Sequence, residues 1–308
     1  MRVIFMGTPE FAVPSLKRLL QDGHEVALVV TQPDKPVGRK HLLTPPPVKA
    51  YALTENLPVF QPEKLKTDEV YERLSVMRPD VMVVVAYGRI LSQRLLDLPR
   101  YGCINVHGSL LPKYRGAAPI QWTVLNGERE AGVTTMQMDA GLDTGDMLKV
   151  VRRPVPEDMT SGELYGLLAE DGAQALSDTL RELEAGTLTR TPQPQTGDSY
   201  APMLDKSLSP LDFTKPAPQL HNQVRGLNPW PSASCLLDGK TLKVHRSRVA
   251  AGGNAAAPGT VVSAAPLVVA CGGGTALELC EVQYEGGRRM AAADFLRGHP
   301  LPAGTVIG

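Results

Sequence analysis

Hydrophobic and polar positions fall into two textures along the chain. Through the first 190 residues, short and nearly continuous apolar runs alternate with segments of helical spacing. The runs cover residues 2–6, 26–31, 81–86, 103–107 and 133–138. Runs that do not alternate with polar residues suit strands buried on both faces, as in a parallel sheet. Between them, residues 11–20 show the spacing of an amphipathic helix, and 67–77 show it more weakly. A long helix is predicted over 160–184: Thr160 and Glu163 match a capping box, and Gly186 stands where a C-cap belongs. The pattern predicts an α/β domain with a doubly wound, mostly parallel, Rossmann-like sheet. Such sheets bind ligands beyond the carboxyl ends of their strands.

From residue 191 the texture changes. Prolines at 192, 194, 202, 210, 216 and 218 interrupt any periodicity and predict an extended linker. After Gly226 come short β-like runs at 234–237, 241–248, 259–263, 267–270 and 276–282, punctuated by glycine and asparagine. They predict a small β-barrel, OB-like, or a sandwich. The expected organisation is a catalytic domain over 1–190, a linker over 191–207 and a C-terminal barrel over 208–308, and no internal repeat is visible.

Composition narrows the class. At 308 residues the chain exceeds what one core usually serves, which agrees with two domains. No stretch approaches 18 apolar residues, so no membrane partner is expected, and the first residues run straight into a strand pattern with no signal-peptide cleavage region. Cys103, Cys235, Cys271 and Cys280 are far apart and form no CxxC pair. That spacing fits reduced thiols in a cytoplasmic protein, with no metal site.

Charge first argues against a nucleic-acid partner, because 32 Lys plus Arg balance 32 Asp plus Glu. The balance conceals polarity, however. From Lys206 onward ten basic residues face six acidic ones, and the remainder of the chain holds 22 against 26. The segment 33–49 is also long for an α/β loop and carries Lys35, Arg39, Lys40 and Lys49 against Asp34. It is either a solvated flap or a contact for an anionic ligand.

Several residues are candidates for chemistry. Gly7-Thr8-Pro9 follows the first strand with one glycine and a proline, which speaks against a dinucleotide loop. Asn105 and His107 lie two apart at a strand end and therefore share a face; an amide donor beside an imidazolium can hold an oxyanion. The structural alternative is a hydrogen-bonded histidine ending a strand. Met138 to Asp146 carries three acids between glycines but lacks EF-hand spacing. Its Asp143 can pair with His107, or the stretch is simply an Asp/Gly turn. Trp230, between Pro229 and Pro231, either anchors the chain on the barrel or stacks on a base.

The motifs then carry a resemblance. Asn105-Val106-His107-Gly108-Ser109-Leu110-Leu111-Pro112 with Tyr114 to Ile120, and Gln137 to Asp146 (QMDAGLDTGD), resemble the signatures of the 10-formyltetrahydrofolate-dependent formyltransferases. Phe5 to Pro9, Gln32-Pro33-Asp34, Val83 to Gly88 and Asn228 to Pro231 fit the same family, so the resemblance spans essentially the whole chain. It implies transfer of a formyl group from 10-formyltetrahydrofolate, as co-substrate, to the α-amino group of methionine on initiator tRNA. It further implies catalysis by Asn105, His107 and Asp143, and folate binding by Ser109, Leu110, Leu111 and Pro112. Arg39 is implied in tRNA contact, and a monomer is expected. Within the family, a purine-pathway enzyme usually stops near residue 200, a sugar-nucleotide enzyme needs a different accessory region, and a formyltetrahydrofolate hydrolase has little use for a basic barrel.

Overall fold

The computed structural model describes residues 1–38, 41–194, 199–253 and 255–308. The chain forms two compact units, one of residues 1–119, 131–153 and 165–201, the other of 120–130, 154–164 and 202–308.

The first unit is built on a seven-stranded sheet. Its strands are β1 (Arg2–Gly7), β2 (Glu25–Val30), β3 (Val59–Phe60), β4 (Val81–Val85), β5 (Cys103–His107), β6 (Glu130–Gln137) and β7 (Met147–Pro154). Their order is β7-β6-β5-β4-β1-β2-β3. Pairings from β3 through β5 are parallel, and β6 is antiparallel to β5. The apolar runs explain this arrangement: all five residues of β4 are buried, so neither face of the strand could meet water. Helices α1 (Val13–Gln21), α2 (Pro47–Thr54), α3 (Asp68–Ser75) and α4 (Gln93–Leu96) follow in the loops. Val70 and Leu74 of α3 and Leu95 and Leu96 of α4 join Ile4, Met6, Met82 and Val84 in one buried cluster. Each such side chain contributes roughly 1.5–3 kcal/mol by leaving water. Thr67 caps α3 by accepting from the amide of Val70. The strand order reverses between β1 and β4, which puts the expected ligand crevice at their carboxyl ends.

Helix α5 (Pro119–Leu125) comes next, then the long helix α6 (Ser161–Ala185), one residue offset from the predicted span. Its capping box forms: Thr160 Oγ1 accepts from the Glu163 amide, and the Thr160 amide donates to Glu163 Oε2. Burial opposes ionisation of Glu163, but those contacts and the Arg246 guanidinium together hold its carboxyl below the usual range. Gly186 ends the helix at φ +69°, a conformation glycine adopts without strain.

The second unit carries an antiparallel sheet of β8 (Ala233–Leu237), β9 (Lys240–Val249), β10 (Val261–Ala264), β11 (Leu267–Ala270) and β12 (Ala276–Tyr284) in the order β8-β9-β12-β11-β10. The final residues bridge its two edges. Ile307 donates to the Gly259 carbonyl beside β10, and Gly308 donates to the Leu236 carbonyl of β8, at 2.9 and 3.0 Å. That closes a small barrel and leaves no long open edge.

Two helices here were not expected from sequence: α7 (Ala217–Gly226) and α8 (Ala292–Gly298). Prolines 216 and 218 do not break α7; they are its N-cap and part of its first turn, where a missing amide donor costs nothing. Trp230 is 54% exposed, so it does not anchor the chain on the barrel. Asn228 does so instead, donating to the His245 carbonyl and accepting from Gly162 and Ser161. Cys103, Cys235 and Cys271 are buried and free; burial pushes the thiols of Cys103 and Cys235 up to about 12, which leaves them unreactive at neutral pH. No helix among the described residues is long and apolar enough to cross a membrane.

Candidate active site

The end of β5 and the two loops beyond it converge at the carboxyl edge of the sheet. Asn105 and His107 lie on β5 at positions that share a face, opposite Met136 and Thr134 of β6. The His107 ring is buried at 6% exposure, and Asn105 is half-buried. Among the described residues the Asn105 carboxamide takes no hydrogen-bond partner.

The imidazole is fixed from two sides. Its Nε2 lies 2.9 Å from the carbonyl oxygen of Tyr114. A carbonyl can only accept, so Nε2 carries a proton and Nδ1 is the nitrogen left to gain or lose one. That Nδ1 faces Asp143 Oδ2 at 3.7 Å. The carboxylate is therefore close enough to pair with an imidazolium and too far for a tight hydrogen bond.

Asp143 sits in the loop between β6 and β7. Its Oδ2 also accepts from the amide of Gly116 at 2.9 Å. Asp139 shapes the same loop by accepting from Gly141 and Thr144. Gly145 passes so close to β6 that a Cβ there would stand 1.7 Å from the Gln137 carbonyl oxygen. Gln193, from the proline-rich stretch, donates to the carbonyls of Asp143 and Gly145. The loop is thus an Asp/Gly turn for backbone reasons and a partner to His107; the two readings do not exclude one another.

The segment after His107 is equally constrained. Thr134 Oγ1 donates to the Ser109 carbonyl and accepts from the Leu111 amide. Ser109 is buried at 1% exposure and its hydroxyl donates to the Lys113 carbonyl at 2.6 Å, so the side chain closes the turn instead of facing solvent. Leu110 and Pro112 are half-buried, and Leu111 is buried. In the neighbouring loop after β4, Tyr87 and Leu91 belong to the core, while Ile90 leaves 68% of its surface exposed. Apolar surface at this edge therefore comes from Leu110, Pro112 and Ile90. Tyr114 and Gly116 lie in the quoted signature but act through their own backbone, while Thr134 and Gln193, whose side chains bind the backbone of other segments, carried no signal of their own.

Within the segment 33–49, Lys35–Val37 pairs antiparallel with Leu42–Thr44, and Pro47–Lys49 begin α2. Lys49 donates to both oxygens of Asp34 and to Gln61 Oε1, and Gln61 donates to Asp34 and to the Gln32 carbonyl. This node ties the base of the hairpin to the ends of β2 and β3. Arg39, singled out from sequence, lies outside the described residues.

Comparison with known proteins agrees with this architecture. A family model described as formyl transferase matches residues 1–180, and one described as formyl transferase, C-terminal domain, matches 203–300. The methionyl-tRNA formyltransferase of Acetivibrio thermocellus is 50% identical over 311 residues, covering 100% of both chains. That of Acidobacterium capsulatum is 51% identical over 310 residues, again covering 100% of each. In fold, the chain is similar to WlaRD, a sugar 3N-formyl transferase solved in the presence of dTDP and 5-N-formyl-THF. The TM-score is 0.66 at 20% identity, over 92% of this chain and 97% of that one. With both domain models matched and full-length relatives at about half identity, the chain belongs to the formyl transferase family.

Proposed function

We propose that the protein transfers the formyl group of 10-formyltetrahydrofolate to the α-amino group of methionine esterified to initiator tRNA, giving N-formylmethionyl-tRNA. The observation that carries this reading is identity of about half with methionyl-tRNA formyltransferases over the full length of both chains. A folate donor is supported by the folate derivative named with the similar WlaRD structure, and by the apolar surface of Leu110, Pro112 and Ile90 beside Asn105.

The geometry supports the following chemistry. The amine attacks the formyl carbon, its new N–C bond forms, and the carbonyl electron pair moves onto oxygen. That oxyanion is held by the Asn105 carboxamide and by Nδ1–H of the His107 imidazolium, while Tyr114 keeps the ring oriented through Nε2. Asp143 pairs with the charged ring. The tetrahedral centre collapses by breaking its bond to N10, which takes up the proton given off by the amine through water near Asp143. Nucleophile and leaving group are both nitrogen atoms of the substrates, so no serine or cysteine nucleophile is required.

The second unit supplies the tRNA contact in this reading. β9 exposes Lys243, Arg246 and Arg248, and the chain from Lys206 onward carries the net positive charge. Such an enzyme works in the cytoplasm beside its charged tRNA.

The test is to incubate the protein with 10-formyltetrahydrofolate and charged initiator tRNA and to assay the aminoacyl end. Formylmethionine on the tRNA is the expected product. Free formate with no formylated tRNA would assign a hydrolase instead.

A further inference from the structure

Gln193 belongs to the stretch that composition reads as linker, yet its amide group is fully engaged with the active-site loops. Nε2 donates to the carbonyl of Asp143 at 2.9 Å and to that of Gly145 at 2.7 Å. Oε1 accepts from Arg115 Nε at 3.0 Å and from Nη2 at 2.6 Å. One primary amide has two donors and two acceptor positions, and here all four are used. One side chain therefore joins the loop that carries Asp143 to the loop that carries Tyr114 and Gly116.

The backbone around Gln193 continues the strap. Thr191 exchanges two hydrogen bonds with Met147, each at 2.9 Å, and Ser199 Oγ accepts from the Tyr114 amide at 3.0 Å. Tyr200–Ala201 pairs in parallel with Arg115–Gly116, and the Ala201 carbonyl accepts from Ala117 and Ala118. Asp143 stands at φ +54°, a left-handed conformation that aspartate visits more readily than most residues with a Cβ, though at some cost in free energy. Gln193 binds the carbonyl of that same residue, and Gly116 binds its carboxylate.

We propose that Gln193 is a positioning residue for formyl transfer: by clamping the Asp143 loop to Arg115 it holds the Asp143 carboxylate 3.7 Å from His107 Nδ1. The proposal rests on the catalytic reading of His107 and Asp143. The Gln193 amide is fully occupied by Arg115, Asp143 and Gly145 and therefore acts through Asp143, so its loss lowers turnover and leaves ground-state binding in place.

Two substitutions test it. Gln193→Met keeps length and removes every hydrogen bond. Gln193→Glu keeps an acceptor for Arg115 but replaces both donors with a carboxylate facing two carbonyls. Each is combined with Asp143→Asn in a double-mutant cycle, with thermal melting as the control for folding. Both single variants are expected to lose about ten- to hundredfold in kcat with the KM for tRNA and for the folate donor nearly unchanged. In the Asp143→Asn background the Gln193 substitutions are expected to cost almost nothing more. Wild-type kcat in a folded Gln193 variant would overturn the proposal, and so would losses that multiply across the cycle. An Asp143→Asn variant at the wild-type rate would overturn the catalytic reading and this proposal together.

Discussion

His107 and Tyr114 are joined by a hydrogen bond of 2.9 Å from the imidazole Nε2 to the Tyr114 carbonyl oxygen. This contact decides which nitrogen can do chemistry. It assigns a proton to Nε2 and turns Nδ1 toward Asp143 Oδ2, 3.7 Å away. Other contacts hold the chain between His107 and Gly116: Thr134 binds the Ser109 carbonyl and the Leu111 amide, Ser109 the Lys113 carbonyl, and Ser199 the Tyr114 amide. The ring is oriented by backbone, and backbone position is what the two signature stretches encode.

The loop carrying Asp143 predicts a packing effect. At Gly145 an alanine Cβ would stand 1.7 Å from the Gln137 carbonyl oxygen, which is part of β6 and cannot move aside cheaply. Gly145→Ala should cost at least about 1–3 kcal/mol in thermal or denaturant unfolding. It should also lower kcat, because the loop that moves is the one holding Asp143. An unchanged melting temperature would show that the loop has room the structure does not give it.

The node at the hairpin base predicts a pH effect. Hydrogen bonding from the Lys49 ammonium, then from the Gln61 amide, holds the Asp34 carboxyl below the usual carboxylate range. A depressed acid stabilises the folded form above its ordinary pKa, and this contribution is lost as pH falls through the lowered value. The protection of amides in Lys35–Val37 and Leu42–Thr44 against hydrogen exchange, taken relative to the intrinsic rate at each pH, should therefore be high at neutral pH and fall below about pH 4. Lys49→Met should make the exchange fast throughout. Equal protection in the variant at neutral pH would remove Lys49 from this role.

The basic residues of the segment 33–49 predict a separation of substrates. Arg39→Ala should raise the KM for charged tRNA about tenfold, the loss of one charge-assisted phosphate contact, and leave the KM for the folate donor unchanged. Binding of tRNA should also weaken moderately as salt rises, with a log–log slope of only a few phosphates. That is the behaviour of a chain whose 32 basic and 32 acidic residues balance overall. Equal loss of both substrates in Arg39→Ala, or a slope near zero, would contradict the division of labour.

Much of this was legible in the residues themselves. The parallel strands announce themselves because burial on both faces leaves no polar alternation, as at Val81–Val85. Helix α6 is visible at both ends, through the Thr160–Glu163 box and Gly186. Asn105 and His107 stand out because polar residues ending an apolar strand need a reason. Edge strand β7 was hidden by its charged residues Lys149, Arg152 and Arg153: Lys149 and Arg153 are half-buried in ion pairs with Glu182 and Asp171 of α6, and Arg152 is exposed. Helix α7 was hidden by prolines that serve as its start. Gln193 and Gln61 carried no signal either: a glutamine in a polar stretch looks the same whether it faces water or clamps two loops. Such residues are identified by what they touch, and Gln193 meets partners 48 to 78 residues away along the chain, a separation with no local pattern.

The central claim is that Asn105 and His107 hold the developing oxyanion. It is tested most directly by single-turnover formylation of charged initiator tRNA, with the enzyme in excess of tRNA and the folate donor saturating. Asn105→Ala and His107→Ala should each lower that rate about 10²- to 10³-fold or more relative to wild type, with melting temperatures showing an intact fold. A folded variant of either residue that formylates the tRNA within a few-fold of the wild-type rate would contradict the account.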